Sequence, residues 1–399
     1  ASAKTEKPGS IARFISATEL DTRLLGMVGA LLLIWIGFHI LSGGLFLTPR
    51  NLWNLSVQTA SVAVMATGMV LVIVTRNIDL SVGSILGFSG MIMGVMQAEI
   101  LPQILGFEHW ATWIVTLLTG ILVGGAIGML QGSIVAFLNV PSFIVTLGGQ
   151  LVFRGIVLGI MGGVTIAPIS PEFKYIGQGY LPGWLGNLCA IALFGVLILM
   201  TLRTRASKRK HNLQTLSSGM EVARLLGIGV LILGFILILN SYQGVPVPVL
   251  ILLVILGVFT VIAKQTVFGR HIYAVGSNTE ATRFSGVNVN FVKMAVFALM
   301  GLMAAVAGLT TTSRLAAGTP SAGMGGELDA IASCFIGGTS MRGGVGSVLG
   351  ALVGALIMSS LDNGMSMLGV DTFWQQIIKG SILVLAVYLD IVSSGTRRG

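Results

Sequence analysis

Charged residues are scarce in this sequence. Only 9% of its 399 residues are Asp, Glu, Lys or Arg, while 54% are hydrophobic and the mean hydropathy is +0.93. Soluble domains carry about 25% charged residues, so the composition predicts an integral membrane protein with little room for a soluble domain. The high apolar content also excludes an intrinsically disordered chain.

Cysteine and histidine are scarce as well. The two cysteines, Cys189 and Cys334, lie far apart in apolar segments, and four histidines are scattered along the chain. Neither residue type shows the spacing that a disulfide framework or a metal site requires. The sequence therefore predicts no metal centre and no cofactor.

Motifs for phosphate or hydrolytic chemistry are missing. The chain has no G-x-x-x-x-G-K-[ST] motif and no Gly-Lys dipeptide, so it cannot hold ATP phosphates with that loop. No H-E-x-x-H motif occurs either. Glu327 and Asp329 would point to different faces of a helix, and we interpret them as anchors of a surface loop rather than as a general acid and base.

Glycine and long apolar runs are in excess. The 55 glycines are nearly twice the usual share of about 7%, which predicts closely packed and broken membrane helices. A span needs about 20 apolar residues, and about ten spans are expected. The candidates are 24–46, 55–75, 81–98, 111–138, 142–162, 184–202, 225–240, 247–263, 294–313, 345–361 and 374–391. The short apolar run 329–340 is expected to form a half-helix or to join a neighbour.

Lysine and arginine concentrate in four segments: the tail 1–23, the central loop 203–224, the loop 264–293 and the tail 392–399. Short basic loops stay in the cytoplasm, and alternating the spans places all four segments on one side. The net charge of +9 is therefore assigned to topology and not to nucleic-acid binding. We predict cytoplasmic termini and a retained first span.

The spans are expected to form one transmembrane domain, 24–391, with two related halves around the loop 203–224. The prediction of two halves depends on a short internal sequence similarity, which we call the internal echo: Val82–Gly87 resembles Val345–Gly350. Related halves are a common plan in transporters. Chance is the alternative explanation of the echo.

A polar break, Thr-Arg-Asn-Ile-Asp-Leu-Ser, separates two apolar runs at residues 75–81. A charge at the centre of a membrane helix costs about 2.5–3.5 kcal/mol, so such charges usually face a polar pathway. Arg76 and Asp79 would share one face of a helix and could pair there. Two interpretations stay open: a break that lines a cavity, and a tight loop at the membrane surface.

The loop 269–289 carries signals for a short helix. Asn278 is a good N-cap, Glu280 lies in the first turn, and Gly286 suits a helix end. Phe284 would then be exposed on the cytoplasmic side. The alternative is an ordinary amphipathic helix on the bilayer interface.

Here the sequence resembles a known family. Glu280-Ala281-Thr282, followed by Gly286, resembles the EAA loop of permease subunits of ABC importers, although Thr282 replaces Ala and no I-x-L-P sequence follows. The chain also resembles the ribose/xylose/galactose permease group over nearly its whole length. The segments that carry this resemblance are Ile78–Ser84, Val140–Leu147, Phe335–Ser340, Leu361–Met367 and Thr372–Gln375.

The resemblance implies the permease subunit of an ATP-binding cassette importer. Such a subunit would move a monosaccharide, with xylose as the first expectation, across the bacterial inner membrane by alternating access. It would have an all-α fold like the vitamin B12-type (type II) importers and form a homodimer. ATP hydrolysis would belong to separate ATPase subunits, and a periplasmic sugar-binding protein would deliver the cargo. The chain itself would not be an enzyme.

The resemblance also implies a coupling loop that contacts the ATPase. Its residues are Gly276, Ser277, Asn278, Glu280, Ala281, Thr282, Arg283, Phe284 and Gly286. Polar residues inside or between spans are the candidates for the translocation path, because sugar hydroxyls need donors and acceptors. They are Asn54, Gln58, Arg76, Asn77, Asp79, Ser81, Ser142, Thr146, Gln150, Arg154 and Asn363.

Two other classes of protein stay open. An ion-coupled secondary transporter of small hydroxylated solutes would need intramembrane acids, for which Asp79 is the main candidate. A membrane-embedded enzyme would need a cluster of nucleophile, base or metal ligands. Within the importer class, ribose, galactose and a nucleoside remain alternative cargoes.

Overall fold

The computed structural model describes residues 22–107, 109–211 and 218–395, and this part of the chain is mainly helical. The first helices are α1 Thr22–Leu41, α2 Pro49–Val74, α3 Val82–Val95, α4 Trp110–Phe137, α5 Ser142–Gly159, α6 Pro171–Gln178 and α7 Gly183–Lys210. Helix α3 continues through a π-helical turn, Met96–Ile100, into the short helix Leu101–Ile104. A 3₁₀ turn, Ile160–Gly163, follows α5.

Eight further helices complete the described chain. They are α8 Ser218–Asn240, α9 Val247–Gln265, α10 Val267–Ser277, α11 Thr279–Phe284, α12 Val289–Leu315, α13 Gly326–Ile336, α14 Val348–Met367 and α15 Thr372–Gly395. Two strands of two residues each, β1 Tyr180–Leu181 and β2 Val245–Pro246, also occur.

The described residues form two compact units. The smaller unit contains residues 22–30 and Leu181–Val245, and α7 and α8 are its main helices. The larger unit contains residues 31–180 and 246–395. All residues of the predicted path and of the predicted coupling loop belong to the larger unit.

Nine helices of the described part are long and apolar enough to cross a membrane, and Leu25–Leu41 is a shorter apolar helix. This confirms the prediction of an all-α polytopic protein with about ten spans. The basic central segment differs from the expected loop, because α7 runs to Lys210 and α8 begins at Ser218. Lys and Arg are good helix formers, so a basic sequence does not by itself end a helix. The predicted tails lie, for residues 1–21 and 396–399, outside the described residues.

Two non-helical segments interrupt the larger unit. Helix α2 ends at Val74, and Arg76 takes the left-handed conformation with φ +62°. Helix α12 ends before Ala316, which is also left-handed, and the chain then reaches α13 through a second irregular segment. Eleven residues of α-helix are about 16 Å long, so α13 is about half the length of a span, as the short apolar run predicts.

Both irregular segments lead into the inside of the bundle. A Cβ placed on Gly308 of α12 would lie 2.6 Å from the Leu86 carbonyl oxygen. The first turns of α3 therefore pack against α12 about two turns before α12 ends. Gly326, the first residue of α13, lies against Met65 near the middle of α2. Helices α3 and α13 therefore both begin within the bundle and not at its end.

Helix α12 is the central element of the larger unit and packs against α2, α3, α4 and α6. Its contact with α4 depends on glycine. A Cβ on Gly301 would lie 2.1 Å from the Gly124 carbonyl oxygen, and a Cβ on Gly128 would lie 2.2 Å from the Phe297 carbonyl oxygen. Small residues that let two backbones approach in this way are typical of membrane helix pairs.

The two copies of the internal echo do not occupy equivalent positions. Val82–Gly87 forms the first turns of α3. In Val345–Gly350 the helix begins only at Val348, and Ser347 caps α14 by accepting a hydrogen bond from the Gly350 amide at 3.3 Å. The echo therefore gives no structural support to related halves, which stay a prediction.

Candidate functional site

The N-termini of α3 and α13 meet inside the bundle, and we call the segments 79–84 and 320–329 the half-helix junction. A Cβ on Gly83 would lie 2.4 Å from the Gly323 carbonyl oxygen and 2.2 Å from Glu327 Oε2. Only glycine allows this approach of the two chains. The carboxylate of Glu327 thus packs directly on the first turn of α3.

Asp79 fixes the start of α3. Its Oδ1 accepts hydrogen bonds from the Ser81 amide at 2.8 Å and from Ser81 Oγ at 2.6 Å. Ser81 Oγ also lies 3.0 Å from Oε1 of Gln131 on α4. Asp79 and Ser81 are completely buried, and Gln131 is 3% exposed. This network holds three polar side chains in the apolar core of the unit.

Helix α5 completes the junction from another side. Gln150 Nε2 donates to Glu327 Oε1 at 2.9 Å. Arg154 Nη1 donates to the carbonyl oxygens of Pro320 and Ala322 at 3.1 and 3.0 Å. The two acceptor carbonyls lie in the irregular segment before α13, where they accept no hydrogen bond from the backbone of a described helix. The guanidinium therefore supports the non-helical backbone that the junction needs.

Several buried polar atoms at the junction or beside it have no hydrogen-bond partner among the described residues. They include Asp79 Oδ2, Ser84 Oγ and Glu327 Oε2 of the junction and Gln131 Nε2 of the neighbouring α4. Buried polar groups are normally paired, and an unpaired one is a candidate for binding or catalysis. Sugar hydroxyls both donate and accept hydrogen bonds, so they are chemically suited to such atoms.

The predicted pair of Arg76 and Asp79 is wrong. The Arg76 side chain turns away from the junction, and its Nε donates to the Gly276 carbonyl at 2.6 Å and its Nη2 to the Ser277 carbonyl at 2.8 Å. The pairing was expected on a continuous helix, whereas the left-handed backbone at Arg76 ends α2. Arg76 is exposed while Asp79 is buried, so the break runs from the surface of the bundle to its interior.

Three other predicted path residues lie in this break or contact it. Asn77 Nδ2 donates to the Thr75 carbonyl at 3.0 Å. Ser142 Oγ, at the start of α5, accepts from the Ile78 amide at 3.3 Å. Thr146 Oγ1 lies 3.4 Å from the Ile78 carbonyl and donates more closely, at 2.9 Å, to the Ser142 carbonyl. The structure therefore brings these residues together with Asp79, Ser81, Gln150 and Arg154.

The remaining predicted path residues lie elsewhere. Asn54 is exposed and Gln58 is half-buried on α2. Asn363 Oδ1 accepts a hydrogen bond from Asn51 Nδ2 at 2.9 Å, and Asn51 also donates to the Phe46 carbonyl at 2.8 Å. Asn363 thus joins α14 to the start of α2, away from the half-helix junction.

The interpretation of Glu327 and Asp329 as surface anchors is wrong, because each is only 7% exposed. They point to different faces as expected: Glu327 binds Gln150, and Asp329 forms an ion pair with Lys379 at 3.0 Å. Lys379 also pairs with Asp362 at 2.7 Å. We call Asp329, Asp362 and Lys379 the ion triad; it connects α13, α14 and α15. The sequence analysis missed it because its members are far apart along the chain.

The predicted short helix in the long polar loop is confirmed as α11. Asn278 Oδ1 caps it by accepting from the Ala281 amide at 3.0 Å, and Gly286 follows with φ +83°. Phe284 is 89% exposed. Helix α11 thus presents an apolar side chain at one end of the bundle.

Helix α10, directly before α11, was missed by the sequence analysis. Thr266 caps it by accepting from the Gly269 amide at 3.0 Å, and Ile272 and Val275 are buried at helical spacing. The polar character of the loop hid this amphipathic pattern. The region is therefore a helix pair, α10 and α11, and not a single short helix.

No group of three or more His, Cys, Asp or Glu residues that could hold a metal ion occurs in the described part of the chain. A broken-helix junction with polar side chains inside an apolar bundle is the architecture of a membrane transport protein. The fold and the site together define a multi-pass membrane protein of this class.

Comparison with known proteins assigns the family. Residues 51–387 match the family described as "Branched-chain amino acid transport system / permease component". The chain is 47% identical to the xylose transport system permease protein XylH of Escherichia coli (strain K12) over 96% of this chain and 95% of the relative. It is 45% identical to XylH of Haemophilus influenzae (91% and 95%) and 36% identical to the ribose import permease protein RbsC of E. coli (86% and 87%). No solved structure matches it significantly. The chain belongs to this permease family.

Proposed function

We propose that the chain is the transmembrane permease subunit of an ATP-binding cassette importer for a monosaccharide, with xylose as the cargo. The observation that carries this proposal is the half-helix junction, where two broken helices hold unpaired buried polar atoms inside an apolar bundle. Relatives with 47% and 45% identity are xylose transport permeases. Both lines of support agree with a path for an uncharged, hydroxylated solute.

Alternating access would act on the two irregular segments. The first turns of α3 and α13 contact each other at Gly83 and Glu327, so a change in the angle between the helices would open or close the junction without unfolding either helix. The unpaired atoms of Asp79, Glu327 and Gln131 would then form hydrogen bonds with sugar hydroxyls. The sugar passes without covalent change.

Helix α11 would be the docking element for a separate ATPase chain. Its support is the exposed Phe284, flanked by Glu280 and Arg283 of opposite charge. Exposed aromatic side chains of this kind are typical anchors of protein interfaces. The basic segments near α11 favour the cytoplasmic side for this end of the bundle and for both termini.

The complete importer would be a homodimer of this permease in the bacterial inner membrane. Two ATPase subunits would bind below it, and a periplasmic sugar-binding protein would deliver the cargo from above. The overall arrangement would be that of the vitamin B12-type importers. Because the binding protein selects the sugar, a sparsely polar path in the permease is sufficient.

Reconstitution in liposomes tests the proposal. The chain together with its ATPase and binding protein should take up xylose with ATP, and more slowly ribose. The chain alone should hydrolyse no ATP above the blank, since it has no phosphate-binding loop. ATP turnover by the chain alone would contradict the subunit assignment. Uptake that follows a proton gradient in the absence of ATP would support an ion-coupled transporter instead.

A further inference from the structure

Arg76 connects the polar break to the helix pair α10 and α11. Its Nε and Nη2 donate at 2.6 and 2.8 Å to the carbonyls of Gly276 and Ser277, the last two residues of α10. Carbonyls in the last turn of a helix have no intrahelical partner. The planar fork of arginine serves two such acceptors at once, which the point charge of lysine cannot do equally well.

The backbone packs around this contact without space for side chains. A Cβ on Gly276 would lie 1.8 Å from the Val74 carbonyl oxygen, and the Gly344 amide donates to that oxygen at 2.9 Å. A Cβ on Gly343 would lie 2.4 Å from Arg76 Cγ. The end of α2, the end of α10 and the loop 337–347 after α13, which we call the glycine loop, therefore meet at Arg76.

The irregular segment before α3 starts from this meeting point, and the glycine loop connects the same point to the end of α13. In one direction the chain runs from Arg76 to Asp79 and into α3. The glycine loop follows α13 and has a second tie to α10, since the Tyr273 hydroxyl donates to the Gly346 carbonyl at 2.9 Å. Burial raises the pKa of the Tyr273 phenol above its ordinary value, so the hydroxyl keeps its proton and remains a donor.

We propose that Arg76 is a positioning residue that transmits displacement of α10 and α11 to the half-helix junction. Its two hydrogen bonds make the end of α10 and the start of the break move as one body. The glycine loop does the same for the end of α13. The inference rests on the proposed function, because it takes α11 as the element that the ATPase moves.

The test compares two Arg76 variants with a matched control in the reconstituted complex. Arg76→Asn removes the fork, and Asn tolerates the left-handed backbone; Arg76→Lys keeps the charge. Arg270→Asn removes the same charge from an exposed position on α10. The measured quantities are ATPase binding, ATP hydrolysis and the amount of sugar transported per ATP.

We expect Arg76→Asn to keep ATPase binding and most of the ATP hydrolysis while sugar per ATP falls at least about tenfold, because both charge-assisted hydrogen bonds to α10 are lost. Arg76→Lys should give an intermediate ratio, and Arg270→Asn the wild-type ratio. A merely structural role would lower hydrolysis and transport together and leave their ratio unchanged.

A wild-type ratio in Arg76→Asn, or a proportional loss of both activities, would overturn the inference. If Arg76→Asn does not assemble, Arg76→Lys decides alone, and a wild-type ratio there overturns the inference as well. Absence of ATPase binding by the wild-type permease is a different result. It would contradict the proposed function and not the role of Arg76.

Discussion

Single side chains determine how charge is tolerated inside this bundle. In the ion triad one ammonium group faces two carboxylates that belong to two other helices. The side chain of Lys379 is 19% exposed, and those of Asp329 and Asp362 are 10% and 28% exposed. Both carboxylates pair with the same cation. Lys379 therefore offsets the repulsion between Asp329 on α13 and Asp362 on α14.

Replacing Lys379 with methionine should destabilise the permease. Loss of one partner of a buried ion pair costs about 3–5 kcal/mol, and the partial exposure of the triad places the expected loss at the lower end. Thermal unfolding of the detergent-solubilised protein measures it. Lys264→Met, at an exposed lysine of α9, is the control. Equal melting temperatures for the two variants would show that the triad contributes nothing to stability.

Hydrogen bonds made by individual side chains could be predicted from the sequence only where the two partners are close along the chain. The cap of α11 joins Asn278 to Ala281, three positions away, and the sequence was sufficient for it. Arg76 and Gly276 are 200 positions apart, and Gln150 and Glu327 are 177 apart. Such contacts depend on the tertiary arrangement of helices, which neither charge nor periodicity determines.

Helix α11 shows what determines an element of only six residues. An isolated helix of this length is not stable in water, so its cap, its glycine stop and its contact through the buried Thr282 are all needed. The glycine has open space around it, and its requirement is purely conformational, since φ is +83°.

Gly286→Val should therefore disturb the end of α11. A β-branched residue is strongly disfavoured at positive φ, so sugar-stimulated ATP hydrolysis should fall several-fold while the chain still inserts. Gly257→Val is the matched control, because Gly257 of α9 also has open space but ordinary helical φ. A normal ATPase rate in Gly286→Val would mean that the geometry of this turn is not used in coupling.

The existence of spans was predictable from apolar length, and their interruptions were predictable from polar residues and glycine. Whether each interruption leads toward the surface or into the interior of the bundle could not be predicted. Residues 75–81 were compatible with a surface loop or with a cavity, and the structure shows that Arg76 lies at the surface and Asp79 in the interior. A short segment that crosses between the two environments satisfies both sets of polar groups, which a pattern of residue types does not reveal.

At the scale of the whole molecule, the larger unit is organised by contacts of α12 with its neighbours. These contacts are backbone to backbone wherever glycines face each other. In a membrane, packing between helices has no hydrophobic driving force, so the unit depends on this close fit more than a soluble protein would. Adding one methyl group at such a contact therefore tests how much the close fit stabilises the unit.

Gly128→Ala should weaken the pairing of α4 and α12. Its Cβ would lie 2.2 Å from the Phe297 carbonyl oxygen, which belongs to backbone and cannot rotate away. Overpacking typically costs about 1–3 kcal/mol, so the yield of folded protein and its melting temperature should fall. Gly125→Ala on the same helix meets only the flexible end of the Leu302 side chain, at 2.9 Å, and should be tolerated. Equal stability of both variants would contradict the proposed importance of this contact.

The meeting of two helix N-termini at the half-helix junction also has an electrostatic consequence. Each N-terminus carries the equivalent of about half a positive charge, so α3 and α13 together bring about one charge to the junction. Arg154 adds a second positive charge, which Asp79 and Glu327 balance when both of their carboxyl groups are ionised. In that state the junction is close to neutral although it is rich in charges and dipoles. Such a balance gives the junction no net charge to attract or repel an ion. In the proposed path it would leave hydrogen bonding as the means by which a solute is recognised.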